Sequence, residues 1–298
     1  MNVKLNNITK RFGNKYAVKN LNANIDEGKI LGIVGQNGAG KTTTFRMILN
    51  FIQPSSGNIN WYNFNNESKI RSQIGFLPEE RGLYQKWSIE EQIVYFSKLH
   101  NMNKIDTLKE LDKWMSRLGV IGNKKDKIQT LSKGNAQKVQ FIATVIFKPE
   151  LLILDEPFSG LDPINSSLIM DSIIKLRDQG TSIVFSSHDL EGVEKISDNI
   201  LMLKNGKTVT SGNPKDIRES FGFKNIYVES DINDETLLSI PGVKSINNDR
   251  LGRKITIEND EVGKAIFKLV SNDGYVKTFS QQPPTLKEVF EKYVQEET

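Results

Sequence analysis

One stretch decides the fold of this chain: the apolar run Ile30-Leu31-Gly32-Ile33-Val34 leads directly into Gly35-Gln36-Asn37-Gly38-Ala39-Gly40-Lys41-Thr42. This is the pattern G-x-x-x-x-G-K-[ST] between a buried strand and a helix, the setting in which the pattern forms a phosphate-binding loop. Glycines let the backbone approach phosphate oxygens closely, and successive N–H groups then point at the anion. The sequence therefore predicts a site for a nucleoside triphosphate.

The chemistry of such a loop assigns roles to its last residues. Lys41 is expected to contact the β and γ phosphates of ATP, and the Thr42 hydroxyl is placed to ligate Mg²⁺. The helix that starts beside Lys41 adds the positive end of its dipole. The residues predicted here to bind the nucleotide are Gly35, Asn37, Gly38, Ala39, Gly40, Lys41, Thr42 and Thr43.

A second motif supplies the carboxylates that a phosphate loop needs. Asp155 and Glu156 follow the continuous apolar run Leu151-Leu152-Ile153-Leu154, which is typical of a strand buried on both faces. Asp155 is expected to hold the metal, through water, at the end of a neighbouring strand. Glu156 is placed to polarise the water that attacks the γ-phosphate.

Composition narrows the classes of function. The 298 residues suffice for one large domain and a smaller one. The 40 basic and 36 acidic residues are spread through the chain without a basic block, so nucleic acid is not expected as a partner. The absence of cysteine fits a reducing compartment. No apolar segment approaches the roughly 18 residues that span a bilayer, so we expect a chain that is soluble by itself.

The order of the elements predicts the fold class. Strands and helices alternate, which indicates an α/β fold of the P-loop NTPase type, with a mostly parallel sheet, an antiparallel β subdomain and a helical insert. The nucleotide-binding domain is expected over 1–220, with the insert at about 85–148. Its first two strands are expected near 3–8 and 17–25, with 10–14 as the connection.

The pattern changes to short elements beyond residue 221. Their order, β-α-β-β-α-β, predicts a small α+β accessory domain over 221–298, of the ferredoxin-like kind. A terminal helix carries Leu286, Val289, Phe290 and Tyr293 on one face. The chain is therefore expected to contain two domains.

Further motifs make the combination specific. Leu131-Ser132-Lys133-Gly134-Asn135 precedes the carboxylate strand, Ser159-Gly160-Leu161-Asp162 follows it, and Ser186-Ser187-His188-Asp189 ends a later strand. In this order the motifs resemble those of the ATP-binding subunits of ABC transporters, over about residues 1 to 220. The ending Pro284-Thr285-Leu286-Lys287-Glu288-Val289-Phe290 is similar to that of the exporter branch, which includes drug-resistance and sodium-extrusion ATPases.

The resemblance implies a second ATPase subunit, either an identical copy or a paralogue. Two subunits would enclose two ATP molecules head to tail. In each, Ser132, Gly134 and Asn135 of the signature, with Asp162, would face the nucleotide held by the other. Ser132 also stands at a predicted helix start, so a simple helix cap is the alternative for it. His188 would donate to the γ-phosphate and help to orient the attacking water.

Three positions need separate comment. Phe12 stands where the family stacks an aromatic ring on adenine, and core packing is the alternative for it. Glu79 replaces the glutamine that usually touches Mg²⁺ and communicates with the membrane subunit, and it adds negative charge beside the two strand-end carboxylates. Lys133 replaces a glycine of the signature; we expect it to face outward and activity to be kept.

The resemblance also implies a transmembrane permease subunit, with this chain on the cytoplasmic face of the cell membrane. A surface near 79–100, with Tyr84 and Trp87, is expected to receive the cytoplasmic helices of the permease, unless these rings pack inside the insert. Two other classes of function stay open. One is a soluble ATPase acting on nucleic acid or ribosomes, and the other is an ATP sensor with negligible turnover, which Glu79 makes less remote.

Overall fold

The computed structural model describes residues 1–62, 72–80, 82–249, 252–272 and 275–295. Arg81, which belongs to the surface expected to receive a partner, lies outside the described residues.

The chain divides into two compact units, Met1–Gly212 and Asn213–Thr298. The division falls earlier than the boundary after residue 220 expected from the sequence. The intervening segment forms a short helix, Pro214–Glu219, that is tied to the second unit: Arg218 Nε donates to the Pro284 carbonyl oxygen at 2.7 Å.

The first unit contains two sheets and six helices among its described residues. Its strands are β1 (Asn2–Phe12), β2 (Lys15–Ile25), β3 (Ile30–Val34), β4 (Ser56–Tyr62), β5 (Ile74–Leu77), β6 (Leu151–Leu154), β7 (Ser182–Ser187), β8 (Asn199–Lys204) and β9 (Lys207–Gly212). Its helices are α1 (Lys41–Ile48), α2 (Ile89–Leu99), α3 (Lys104–Arg117), α4 (Lys133–Val145), α5 (Pro163–Asp178) and α6 (Leu190–Ile196).

The larger sheet positions the site. Its strand order is β5-β6-β7-β3-β8-β9, and all neighbours are parallel except the β8–β9 hairpin. Every residue of β3, β6 and β7 is buried, as expected of a parallel sheet covered on both faces. Because β3, β6 and β7 are neighbours and parallel, their carboxyl ends bring the phosphate loop, the carboxylates and His188 to one edge.

The smaller sheet corrects one expectation. β1 pairs with β2 and β4, all antiparallel, and β1 continues through Lys10–Phe12, which the sequence analysis assigned to the connection. Phe12 pairs with Lys15, so the turn consists of Gly13 and Asn14 alone. Gly13 has a φ of 56°, a left-handed conformation that glycine adopts without strain, and this permits the tighter turn.

The helical insert contains α2, α3 and α4. A capping box starts α2: Glu91 N donates to Ser88 Oγ, and Ser88 N donates to the Glu91 carboxylate at 2.8 Å. The amphipathic face of α3 buries Leu111 and Trp114, and α4 is buried from Ala136 onward. The insert therefore presents the exposed amino end of α4 on a firmly packed helix.

The second unit has its own core. Its strands are β10 (Lys224–Glu229), β11 (Val243–Asp249), β12 (Gly252–Ile257) and β13 (Thr278–Gln282), and its helices are α7 (Pro214–Glu219), α8 (Asp234–Leu238), α9 (Asp260–Ser271) and α10 (Leu286–Gln295). The sheet is antiparallel in the order β11-β12-β10-β13. Ile226, Ile255 and Ile266 lie at the centre of its hydrophobic cluster.

Candidate active site

The phosphate loop has the conformation that its glycines allow. Gly40, which precedes α1, has a φ of 106°, and a Cβ there would lie 2.6 Å from the Ala17 carbonyl oxygen, so no other residue fits. Gly38 has a φ of 82° and open space around it, which leaves its backbone free to approach a ligand. The amino end of α1, with its unpaired N–H groups, opens into this loop.

Lys41 lies under the loop as the first residue of α1 and is 7% exposed. Its Nζ donates to the Gly35 carbonyl oxygen at 2.7 Å and lies 3.5 Å from Glu156 Oε1. The buried ammonium and the buried carboxylate attract each other strongly, because solvent screens the pair little. The contact places the lysine between the loop and the strand-end carboxylates.

Asp155 joins two strand ends to the loop. Its Oδ2 accepts a hydrogen bond from Thr42 Oγ1 at 2.8 Å, and its Oδ1 accepts one from Ser186 Oγ at 2.6 Å. Ser186 lies fully buried in β7 and was not identified from the sequence. Both carboxylate oxygens are thus held in place by hydroxyl groups from neighbouring elements.

Glu156 has the most unusual backbone of the site, with a φ of 49° in the left-handed region. Such a conformation costs a non-glycine residue about 1–3 kcal/mol and is found where the surroundings enforce it. Here Glu156 N donates to Ser186 Oγ at 2.9 Å, and Oε2 lies 2.9 Å from His188 Nδ1. Glu156 Oε1 is buried and accepts no hydrogen bond from the described residues.

A cavity of about 720 Å³ lies over the loop. It is lined by Phe12, Lys15, Tyr16, Ala17, Asn37, Gly38, Ala39, Gly40, Lys41, Thr42, Thr43, Glu79, Asp155, Glu156 and Asn205. Phe12 is 55% exposed at the rim, so the alternative of core packing is wrong for it. Lys15 and Tyr16 were missed by the sequence analysis, because they precede no recognisable motif. Gly35 is not among the lining residues; a Cβ there would lie 2.5 Å from the Leu203 carbonyl oxygen.

The metal ligands expected from sequence are Thr42, Asp155 and Glu79. Thr42 and Asp155 are in direct contact, and Glu79 is exposed on the same cavity. Among the described residues there is no group of three or more His, Asp or Glu side chains that could hold a metal by themselves. One carboxylate and one hydroxyl, completed by phosphate and water, match the way in which Mg²⁺ is usually bound.

The signature residues do not line this cavity. Ser132 caps α4 by accepting from Asn135 N at 3.3 Å, which is the alternative considered for it. The side chain of Asn135 bonds to the backbone N–H of Ile121 at 3.2 Å. A Cβ at Gly134 would lie 3.5 Å from Asn165 Nδ2, so the signature lies beside the start of α5.

Asp162 caps that neighbouring helix. Its Oδ1 accepts from Asn165 N at 2.9 Å, and this hydrogen bond lowers the pKa of the Asp162 carboxyl below its usual value. Ser132, Gly134 and Asp162 therefore form one surface between α4 and α5. None of them lines the phosphate-loop cavity of the same chain.

An apolar groove of about 470 Å³ lies between the sheet and the helical insert. Its lining includes Phe51, Phe76, Phe96, Leu99, His100 and Phe147. On the insert, the rings of Tyr84 and Trp87 pack at 4.5 Å, and Tyr84 is 48% exposed. The pair therefore packs at the surface of the insert rather than inside it.

None of the helices in the described residues is long and apolar enough to cross a bilayer.

Comparison with known proteins places these features in a family. Residues 18–159 match the family model described as "ABC transporter", and residues 212–294 match the model described as "ATP-binding protein DrrA1-3-like, C-terminal domain". The chain is similar to the uncharacterized ABC transporter ATP-binding protein YhaQ of Bacillus subtilis, with 42% identity over 96% of each chain. It is also similar to the linearmycin resistance ATP-binding protein LnrL of the same species, with 31% identity over 81% of this chain and 79% of the relative.

A solved structure supports the same assignment. The dimeric structure of MJ0796, a bacterial ABC transporter cassette, has a TM-score of 0.65 and 25% identity, and covers 71% of this chain and 98% of that cassette. With the phosphate loop, the strand-end carboxylates and the signature in place, this chain belongs to the ATP-binding proteins of ABC transporters.

Proposed function

We propose that this chain hydrolyses ATP to power an ABC-type membrane exporter through nucleotide-driven dimerisation. The observation that carries the proposal is the arrangement around Glu156: Lys41 and His188 lie 3.5 and 2.9 Å from its two carboxylate oxygens, at the edge of the cavity. A fixed carboxylate whose buried Oε1 accepts no hydrogen bond from the described residues, although Lys41 lies beside it, is suited to accept a hydrogen bond from an attacking water.

His188 orients Glu156 and reaches toward the γ-phosphate. A carboxylate only accepts hydrogen bonds, so Nδ1 is the donor in the contact with Glu156. The other ring nitrogen, Nε2, then donates to a phosphate oxygen only when the ring is the doubly protonated imidazolium. The side chain is 68% exposed, which leaves it accessible to a nucleotide.

Thr42 and Asp155 would hold Mg²⁺ together with phosphate and water, and Glu79 is the third candidate. When bound, Mg²⁺ neutralises negative charge on the transferred phosphoryl group. Ser186 fixes Asp155 for this task, while Lys41 and the N–H groups of the loop hold the phosphates. The ring of Phe12 at the rim is available to stack on adenine.

The signature surface would complete the site of a second subunit. Ser132 and Gly134, with the amino end of α4, offer hydroxyl and N–H donors to a γ-phosphate. They do not line the cavity of their own chain, so they can serve a nucleotide only from the opposite side of a dimer. Closure of such a dimer around ATP and its reopening after hydrolysis would move the attached membrane subunits.

The apolar groove is where we place the permease. Its phenylalanine and leucine side chains would receive cytoplasmic helices of a transmembrane partner, and Glu79 lies on the chain segment that links this groove to the ATP site. Transport outward is supported by relatives whose names refer to linearmycin resistance and bacitracin transport. Together these features support a location on the cytoplasmic face of the cell membrane.

Substitution of Glu156 by glutamine tests the proposal. Loss of the carboxylate should lower ATP turnover by about a hundredfold or more and leave ATP binding intact. The matched control is Glu150→Gln, which removes the same charge at the exposed opposite end of β6 and should leave turnover unchanged. Near-normal turnover of Glu156→Gln would contradict the role of this residue.

A further inference from the structure

Two charges of opposite sign lie on the two surfaces that the proposed dimer would bring together. Glu79 is exposed on the phosphate-loop cavity, and Lys133 is exposed at the first position of α4, directly after Ser132. Within the described part of the chain neither side chain forms an ion pair or hydrogen bond. No described residue therefore competes with a charged group from outside the chain for either side chain.

The cavity has an excess of negative charge that its own cations do not balance. Glu79, Asp155 and Glu156 line it, together with Lys15 and Lys41. Lys41 Nζ is already held by the Gly35 carbonyl and lies beside Glu156. A bound triphosphate would add more negative charge than its Mg²⁺ neutralises, in a partly water-excluded space, and this favours a further cation near Glu79.

The signature surface has the opposite character. The first turn of α4 contains no acidic residue, Lys133 is its first residue, and the helix dipole adds positive potential at the same end. The neighbouring Ser132 carries no charge, and its hydroxyl caps the helix, so it does not neutralise the charge of Lys133. Asp162 lies on the same surface, but its carboxylate caps α5 and accepts hydrogen bonds from Asn165, so the amino end of α4 stays suited to an anionic partner.

Within one chain, Glu79 and Lys133 do not lie against each other. Gln140 Nε2, in the middle of α4, donates to the carbonyl oxygens of Pro78 and Glu80 at 3.4 Å each, so that part of the helix lies against the Glu79 segment. Lys133 lies seven residues earlier, which corresponds to about 10 Å along the helix axis. It projects from the end of α4 that the proposed function presents to a second subunit.

We propose that Lys133 of each subunit forms an ion pair with Glu79 of a second copy of this chain across the ATP-filled seam. The inference rests on the proposed head-to-tail dimer. It adds that the second subunit is an identical copy, so that each subunit contributes one Lys133 and one Glu79. A two-fold symmetric dimer contains the pair twice. The two oxygens of Glu79 allow one to face the metal site while the other accepts from Lys133.

A double-mutant cycle in the Glu156→Gln background tests the pair. The dimer dissociation constant would be measured by analytical ultracentrifugation, with ATP and Mg²⁺, for the parent, Lys133→Met, Glu79→Gln and the double variant. Because two partly buried pairs are lost, Lys133→Met should raise the dissociation constant by about tenfold or more in the parent but by no more than about twofold when Glu79→Gln is present. Lys133→Arg should keep the affinity of the parent.

The possible results distinguish failure of the ion pair from failure of the dimer. An equal effect of Lys133→Met in both backgrounds would mean that the lysine acts on the phosphates alone, and this overturns the pair while the dimer stands. No effect in either background overturns it as well. A parent that stays monomeric with saturating ATP overturns the dimer and the pair together. Lys268→Met, at an exposed position of α9 in the second unit, is the control for net charge.

Discussion

The two halves of the proposed ATP site differ in how complete they are within one chain. In the phosphate-loop half, Lys41, Asp155 and Glu156 are buried and joined by hydrogen bonds or ion pairs to residues from β7 and the loop. In the signature half, Ser132 is exposed and bonds to the start of its own helix.

The difference shows where each half obtains its geometry. Burial and long-range hydrogen bonds fix the phosphate-loop half before any ligand arrives, so that binding costs little reorganisation. The signature half is held by the cap of α4 and by the hydrogen bond from Ile121 N to Asn135, and in the proposed function its donors would serve a nucleotide on another subunit. We therefore expect substitutions in the first half to impair the ATP chemistry of each chain, and substitutions in the second half to weaken dimerisation without changing the ATP affinity of the monomer.

The largest effect is expected in the phosphate-loop half. Lys41→Ala removes the buried cation that we propose holds the phosphates, and ATP affinity of the monomer should fall by about a hundredfold. Isothermal titration with ATP and Mg²⁺ would measure it, with Lys15→Ala at the rim of the cavity as a milder comparison. Unchanged affinity of Lys41→Ala would show that the loop lysine does not contact the nucleotide.

A smaller effect, confined to the dimer, is expected in the signature half. Gly134→Asp brings a negative charge toward the γ-phosphate of the other subunit and should weaken ATP-dependent dimerisation by about thirtyfold. Because a Cβ at Gly134 meets its nearest neighbour at 3.5 Å, Gly134→Ala should fold and dimerise normally. Light scattering would follow dimerisation, while titration checks that ATP affinity of the monomer stays within about twofold. Loss of monomer affinity would contradict the division into two halves.

Ser186→Ala tests how hydrogen bonds hold the carboxylates of the phosphate-loop half in place. The hydroxyl donates to Asp155 and accepts from Glu156 N, so its loss should reduce turnover by about tenfold while the substrate still binds. Ser187→Ala is the matched control, because Ser187 is equally buried in β7 but its hydroxyl accepts from Asp189 N. Equal kinetics of the two variants would remove Ser186 from the site.

The smallest effect is expected at the cap of α5. Asp162 has a lowered pKa in the folded chain, so its ionised form stabilises the fold above the usual aspartate range, and this contribution disappears as the pH falls through the lowered value. Asp162→Ala should therefore lower Tm slightly at neutral pH and converge with the parent in acid, as thermal unfolding at several pH values would show. Asp162→Asn keeps a capping oxygen and should lose less. A difference that grows in acid would contradict this assignment.

Much of the site could be predicted from sequence because its motifs are local. The phosphate loop and the run before Asp155 each combine an apolar strand with polar residues at fixed spacing, which is sufficient to place them at strand ends.

What the sequence could not show depends on contacts between distant segments. Ser186 is one of many serines until β7 lies beside β6 and brings its hydroxyl to Asp155. Glu156 has a left-handed backbone, which glutamate itself does not favour, and its N–H donates to the hydroxyl of the same serine. Phe12 was placed in a connection because Lys10 and Arg11 obscure the alternation of β1.

Mixing two inactive variants tests the shared site most directly. In a head-to-tail dimer of Lys41→Ala with Gly134→Asp, one site contains both defects and the other contains an intact loop and an intact signature. Each variant alone should be nearly inactive, and an equal mixture, at protein and ATP concentrations that keep both variants dimeric and randomly paired, should recover about a quarter of wild-type ATP turnover, because half of the dimers are mixed and each has one intact site. Turnover of the mixture no higher than the average of the separate variants would contradict a site built from two copies of this chain.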